Sequence, residues 1–498
     1  MPLERNDQVQ ARIDKLEKIK ALGKNPYPYK YEQTHSTEQL KDQQESLLAD
    51  NTHVACAGRV VRFNRKGKMT FLHLKDDFGR IQAVIMRDQV GEDNYEVVKL
   101  LDIGDWVGIS GTMTVTNAGE YSIRANSVEL LSKALRPLPI PKEKVEDGKK
   151  IIYDEFKDTE TRYRQRYVDL ALNDSVRDTF QKRFKIMQTI RAYLLEHGYM
   201  EVDTPVLQSI YGGASARPFT THHNSQNMEL YLRISNELFL KRCIVGGFSK
   251  VFEFSRNFRN EGMDKTHNPE FTVLEFYEAF SDYNDMMVHF ENLYSRCAIA
   301  VNGTTKITYE GTEIDLKTPW RRLTMKDALK EYAQLDVDSL SDEELQQELS
   351  NREIELKGDY LRGLAIQELF EATCEEHLIQ PTFIIDHPAE STPLCKVHRE
   401  DDSLVERFEP YINGWEIGNA YSELNDPQVQ RRLFEEQVER GRGGEEETHV
   451  MDEDFLRSME YGMPPIGGVG IGIDRLTMLL TDSSSIKDVL LFPLMRPE

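Results

Sequence analysis

Residues 251 to 280, VFEFSRNFRNEGMDKTHNPEFTVLEFYEAF, read as two β-strands joined by a polar loop, and their period-two alternation constrains the chain more than any other feature. On the first strand Phe252, Phe254 and Phe258 share one face, while Arg259 and Glu261 lie on the other. On the second, Leu274 and Phe276 oppose Phe271, Glu275 and Tyr277. If the apolar faces pack on a core, Arg259, Glu261, Phe271, Glu275 and Tyr277 line one cavity. A guanidinium there can fork onto a phosphate or carboxylate, an aromatic ring can stack on a base, and carboxylates can hold an ammonium. Spacing alone leaves an amphipathic hairpin with a solvated charged face equally open.

Two further segments carry the same kind of signal. In ERFEPYINGWEIGNAYSELND, residues 406 to 426, Asn413-Gly414 marks a type I′ hairpin that sets Tyr411 opposite Glu416 and puts Glu409 and Glu416 on one face. Two such carboxylates near nucleotide phosphates suit Mg²⁺, although two solvated surface acids would read the same way. Asn419, Tyr421 and Glu423 fall on the opposite face unless a bulge near Gly418 resets the alternation. GGVGIGIDRLTMLL, residues 467 to 480, is a glycine-rich strand running into a helix with Arg475 in its first turn. Its spacing is neither GxGxxG nor GxxxxGK[ST], which excludes the Rossmann and P-loop readings. The glycines permit close approach of a substrate, and an arginine at a helix N-terminus suits a terminal phosphate. Tight strand-to-helix packing would account for the glycines but not for Arg475.

The remainder sets bounds. Over 498 residues, 85 acids against 62 bases give a formal charge of -23, which disfavours any partner held by overall positive charge. A local exception is the run Arg59, Arg62, Arg65, Lys66 and Lys68, which contains no acid between its ends. Five cysteines without a CxxC support neither a disulfide framework nor a cysteine zinc site, and suggest a reducing compartment. The polar N-terminus and the lack of a long apolar run predict a cytoplasmic chain with no membrane association. An amphipathic helix of about five turns is expected from Val9 to Leu22. Five short alternating runs between Val54 and Leu131 then suggest a small barrel, and a proline- and charge-rich connector follows. Ser175 and Asp178 suggest a capping box opening a long helix. The helical, acidic stretch from Leu323 to Glu376 interrupts strand-like text and is expected to be an insertion in an α+β domain.

Together the segments resemble the signature motifs of class II aminoacyl-tRNA synthetases. GYMEVDTPVL (198–207) is similar to motif 1, a dimer-interface helix and strand; FRNEG with HNPEF is similar to motif 2; GIGIDRL is similar to motif 3. The segments NPYPY, KALRPLP, YRQRYVDL, GGASARPF, NELFLKR and GNAYSELND resemble the lysyl branch of subclass IIb, and the likeness covers nearly the whole chain. It implies an α+β protein: a five-stranded OB-fold barrel ahead of a catalytic domain built on an antiparallel sheet with flanking helices. The expected divisions are a lead-in at 1–50, the barrel at 51–134, a connector at 135–165, and the catalytic domain at 166–498 with its insertion at about 323–380.

The resemblance also implies roles. Arg259 would hold the α-phosphate and the amino-acid carboxylate, Glu261 and His267 would contact the nucleotide, Phe271 would stack on adenine, and Arg475 would meet the γ-phosphate of ATP. Glu409 and Glu416 would bind Mg²⁺. For L-lysine, Glu237 and the Gly213 backbone would take the α-ammonium, Asn419 the carboxylate end, and Glu275, Tyr277 and Glu423 the ε-ammonium. In the barrel, Phe71, Gln82 and Glu120 would read anticodon bases of the tRNA for lysine. A homodimer is implied by motif 1. The reaction implied is adenylation of lysine followed by acyl transfer to tRNA, without a protein nucleophile. An aspartyl or asparaginyl enzyme of the same branch is disfavoured by the acids at Glu237, Glu275 and Glu423. A ligase that lysylates an elongation factor would lack the barrel. A silent RNA-binding paralogue would have no need for Arg259, Glu416 and Arg475.

Overall fold

A computed structural model describes residues 6–140, 142–146, 149–153, 156–356, 359–442 and 450–497. Parts of the expected connector (141, 147–148 and 154–155) and of the insertion (357–358) lie outside the described residues. The chain forms two compact units, Met1–Asp158 and Thr159–Glu498.

In the first unit, helix Asp7–Ala21 starts where Asn6 accepts the Val9 amide at 2.9 Å. With 15 residues it makes about four turns, not five: at 3.6 residues per turn the expected span from Val9 to Leu22 holds no more than that. Five strands close into a barrel: His53–Lys66, Met69–Lys75, Arg80–Met86, Trp106–Val115 and Tyr121–Ser132. Neighbours are antiparallel except Arg80–Met86 with Tyr121–Ser132, which are parallel and are separated in sequence by two short helices and a strand. Alternation along Met69–Lys75 sends Thr70, Leu72 and Leu74 inward, so Phe71 and His73 stand on the outer face.

The second unit is built on a nine-stranded sheet. Its central strands, in spatial order Thr382–Pro388, Leu404–Ile412, Gly418–Ser422, Ile466–Gly472, Glu270–Ala279 and Lys250–Phe258, are antiparallel as expected. The two outermost pairings correct that expectation: Arg321–Thr324 runs parallel to Thr382–Pro388, and Met200–Glu201 runs parallel to Lys250–Phe258. Parallel neighbours need a long crossover. The acidic insertion supplies one of them, with helices Asp342–Asn351 and Arg362–Thr373 lying between the two strands in sequence, so Leu323 belongs to a strand and helix begins only at Met325. Phe252, Leu274, Phe276, Val469 and Ile471 pack in one cluster with Ile186, Ile190, Met286 and Phe290 from helices Asp174–Glu196 and Tyr283–Asn302. The sheet thus has one apolar face covered by helices, and its opposite face is free to be polar.

The Ser175 capping box does not form. The long helix begins at Asp174, with Asn173 in the cap position and no side-chain cap bond. The Asn173 amide instead donates to Asp169 at 2.6 Å, tying it back to the preceding helix Arg166–Leu172. Among the described residues no helix is long and apolar enough to cross a membrane.

Candidate active site

The polar face of the sheet is buried, not solvated. Pairing Glu253 with Glu275 and Asn257 with Phe271 aligns the polar residues of the two strands, and Glu253, Ser255, Asn257 and Glu275 are all inaccessible. Asn257 borders a cavity of about 540 Å³, which Arg259, Glu261, Phe271, Glu275 and Tyr277 also line.

The second segment reaches the same cavity through the anticipated bulge. Asn413 and Gly414 both adopt positive φ, 54° and 71°, as a type I′ turn requires, and Tyr411 pairs with Glu416. Further along, Arg407 pairs with Tyr421 and Phe408 with Ala420, one residue out of step with the turn. The additional residue is Ile417, whose amide donates to Pro410 O at 3.0 Å while its side chain enters the core. That reset brings Glu416, Asn419, Tyr421 and Glu423 to one cavity. The third segment supplies the floor. A Cβ on Gly468 would lie 2.0 Å from Glu423 Oε1 and 2.5 Å from the Tyr277 ring, so only glycine lets these two groups close over the strand.

One end of the cavity is acidic. Tyr277 Oη donates to Glu275 Oε2 at 2.9 Å, and Ser235 Oγ donates to Glu275 Oε1 at 3.2 Å. Glu237 opens helix Glu237–Val245, its amide donating to Ser235 Oγ at 3.1 Å, and a Cβ on Gly213, at φ 83°, would lie 2.8 Å from Ser235 Oγ and 3.1 Å from Glu237 Cβ. Burial, and then the neighbouring charge of Glu237, push Glu275 up to about 7. Burial likewise raises Glu423 to about 8, with Lys241 opposing and Glu237 adding to the rise. Lys241, absent from the expected site, is fully buried and meets Glu237 Oε1 and Glu423 Oε2, each at 2.5 Å. It stands four residues after Glu237 on a helix, the spacing that puts two side chains on one face.

The other end is cationic. Arg259 lies over Phe271, its Cζ 5.2 Å from the ring centroid, and its buried Nε has no partner among the described residues. Arg475 Nη1 donates to Glu416 O at 2.5 Å, and Nη2 lies 3.1 Å from His267 Nε2. His267 Nδ1 is 2.8 Å from Asp264 Oδ2. A proton on Nδ1 therefore leaves Nε2 as the acceptor for Arg475.

Glu409 departs from the expected arrangement. Only Glu416 of the pair lines the cavity; Glu409 sits behind it, in an ion pair with Arg407 and accepting from Tyr411 Oη at 2.9 Å. Arg407 is two residues before Glu409 on one strand, so period two could have identified this partner. Burial, and then the charge of Glu409, raise Glu416 to about 7. A divalent cation would relieve that repulsion, so the donor chemistry fits Mg²⁺. Among the described residues no group of three or more His, Cys, Asp or Glu side chains is arranged to hold a metal. Such an ion would therefore draw further oxygens from substrate phosphates and water.

On the barrel, Gln82 Nε2 donates to Glu120 Oε2 at 2.7 Å, and His73, not anticipated, lies 3.2 Å from Glu120 Oε1. Phe71 stands beside His73 on the outer face of the same strand.

Residues 54–131 match the family described as OB-fold nucleic acid binding domain, and residues 158–496 match that described as tRNA synthetases class II (D, K and N). Among curated relatives, the lysine–tRNA ligase of Clostridium novyi (strain NT) is 50% identical over 497 residues, covering 99% of this chain and 95% of the relative. The lysine–tRNA ligase of Christiangramia forsetii is 50% identical over 500 residues, 99% of this chain and 87% of its own length. That of Porphyromonas gingivalis is 49% identical over 504 residues, 100% of this chain and 86% of its own. With a barrel ahead of a sheet whose buried polar face runs from a carboxylate cluster to two arginines, and with family matches over both units, the chain belongs to the class II tRNA synthetases of the D, K and N group.

Proposed function

We propose that this protein activates L-lysine with ATP and transfers it to the 3′ end of its tRNA. The observation that carries the reading is the buried set Glu237, Glu275 and Glu423 at one end of a cavity that holds Arg259 and Arg475. A long amino acid ending in a cation places its ammonium groups among those carboxylates and its carboxylate toward Arg259. A neutral analogue leaves buried acids unpaired, which is the costlier error.

Phe271 stacks on the adenine, Arg259 takes the α-phosphate and the lysine carboxylate, Glu261 and His267 border the nucleotide, and Arg475 takes the terminal phosphate. One lysine carboxylate oxygen attacks the α-phosphorus in line, forming the acyl–phosphate bond as the bond to the β-phosphate's bridging oxygen breaks and pyrophosphate leaves with the electron pair. No protein base is required, because the attacking carboxylate is already ionised. The ribose hydroxyl at the tRNA 3′ end then attacks the lysyl carbonyl, releasing AMP. Arg259 and Arg475 neutralise charge as it shifts onto phosphate, and positioning supplies much of the remainder. Glu416, with Glu409 behind it, would hold Mg²⁺, which when bound screens the phosphate oxygens.

The barrel reads the anticodon through Phe71, Gln82 and Glu120, an OB-fold use in which an aromatic platform stacks a base. A homodimer is supported by the exposed apolar residues Leu195, Met200, Val206, Leu207 and Ile210 along the motif 1 stretch. Five free cysteines are consistent with a cytoplasmic location. ATP–pyrophosphate exchange run with each of the twenty amino acids tests the reading. Lysine alone should drive exchange, and Arg259→Ala should abolish it in a folded protein. Exchange driven equally by aspartate or asparagine would overturn the lysine assignment.

A further inference from the structure

Lys241 contributes nothing to the cavity lining, yet it is the most enclosed cation of the acidic end. It bridges Glu237 Oε1 and Glu423 Oε2 at 2.5 Å each, and its side chain is completely removed from solvent. The two carboxylates it joins are those assigned to different ammonium groups of the substrate. Lys241 takes one oxygen of each, leaving Glu237 Oε2 and Glu423 Oε1 outside the bridge; the latter oxygen lies against Gly468 on the cavity floor. With lysine bound and its ammonium groups favouring the ionised forms, Glu237, Glu275 and Glu423 carry three negative charges and Lys241 one positive, so the acidic end takes up two further positive charges. Those are the two ammonium groups of lysine. Its carboxylate is matched separately by Arg259.

We propose that Lys241 is a positioning and specificity-determining residue: a built-in cation that holds Glu237 and Glu423 in register across both ammonium subsites and sets the pocket charge to match a dibasic amino acid. This rests on the lysine subsites proposed above. Other titratable groups face the bridge from every packed element: Glu275 and Tyr277 on the Glu270–Ala279 strand, Cys395 beside Glu423, and Tyr421 on the Gly418–Ser422 strand. The further cation nearby, Arg407, stands over the Tyr421 ring and acts on Cys395, but it is paired with Glu409, so it does not replace Lys241. Burial opposes the Lys241 charge, but Glu237 and Glu423 more than offset it and keep the ammonium protonated.

Lys241→Met removes the charge and keeps an unbranched side chain only one atom shorter. With the bridge gone, Glu423 loses the charge that opposes its rise and holds its proton to higher pH still, and a protonated carboxyl no longer attracts an ammonium. In lysine-dependent pyrophosphate exchange the KM for lysine should rise at least about tenfold at pH 7, with the KM for ATP nearly unchanged. The acidic limb of kcat/KM for lysine should move up by about one pH unit, so that activity is partly recovered in alkali. If Lys241→Met does not fold, Lys241→Gln, which retains a hydrogen-bond donor, carries the same comparison. An unchanged lysine KM and pH limb in the folded variant would overturn the proposal. So would a loss equal for lysine and ATP and constant with pH, which marks a purely structural residue. Absence of lysine-dependent exchange in the unmodified protein would instead overturn the underlying functional reading.

Discussion

Asp474 and Arg183 form a buried ion pair at 2.7 Å, and Asp474 also accepts the backbone N–H of Thr272 at 2.8 Å. One carboxylate thereby ties three pieces together: the helix carrying Arg475, the strand carrying Phe271, and the long helix Asp174–Glu196 beneath the sheet. Removing one partner leaves a buried charge uncompensated. Arg183→Met should therefore lower the urea unfolding free energy by about 3–5 kcal/mol, and the double variant with Asp474→Asn should lose less than the sum of the singles. A loss within about 1 kcal/mol in Arg183→Met, typical of a surface pair, would show that the ion pair does not hold these elements together.

Glu423 makes the sharper test of substrate recognition. Glu423→Gln keeps the shape but removes the charge partner of the substrate cation, at a cost of roughly 2–5 kcal/mol in lysine binding. Lysine KM in exchange should rise accordingly, while ATP affinity stays within about twofold of normal because Glu423 lies at the end opposite Arg475. Equal losses for both substrates would mean that the two ends of the cavity are assigned wrongly.

Glu275 and Glu423, pushed up to about 7 and about 8 by burial, titrate in the empty pocket near neutrality. Their folded values lie above the ordinary carboxyl value near 4.3, so the folded state binds more protons than the unfolded one. Their contribution to stability is present below that value and is lost as pH rises toward 8. Lysine brings ammonium groups that favour the ionised forms, so binding at pH 7 should release protons, on the order of one per lysine bound. Calorimetry in buffers of different ionisation enthalpy reads this directly. Buffer-independent heat at pH 7 would show that both carboxyls are already ionised in the free protein.

Much of this site was legible because it obeys simple periodicities. The faces of the 251–280 hairpin, the Asn413-Gly414 turn and the need for a bulge near Gly418 all follow from period two and turn chemistry. Whether the polar face met solvent or enclosed a cavity was not legible, because the strands that extend it sideways, Gly418–Ser422 and Ile466–Gly472, come from about 140 and 190 residues further along the chain. The parallel edge pairings were hidden for a related reason: alternation within a strand does not say which neighbour it takes. Glu409 and Glu416 share chemistry and spacing, yet Arg407 and Tyr411 capture Glu409. Lys241 was readable four residues from Glu237, but an unpaired lysine on a helix ordinarily points to water.

Leu207 and Ile210 are 50% and 41% exposed beside Val206 and Met200, an apolar stretch that a second copy would cover. Sedimentation at micromolar concentration should give twice the chain mass, and Leu207→Glu should shift the equilibrium toward monomer. A fully active monomer in the unmodified protein would remove the dimer from the reading.

The barrel and the catalytic unit can be separated by the reactions they serve. Phe71 offers an outward-facing ring beside His73, Gln82 and Glu120, and Phe71→Ala removes a stacking platform worth about 1–3 kcal/mol per base. The loss should appear in tRNA charging, as roughly a tenfold or greater rise in KM for tRNA. Lysine-dependent pyrophosphate exchange, which needs no tRNA, should stay intact. Charging should also weaken with added salt if a chain with formal charge -23 is to approach RNA through a local basic run such as Arg59 to Lys68. Equal losses of exchange and charging in a folded Phe71→Ala variant would make the barrel a structural support for catalysis and remove the anticodon reading.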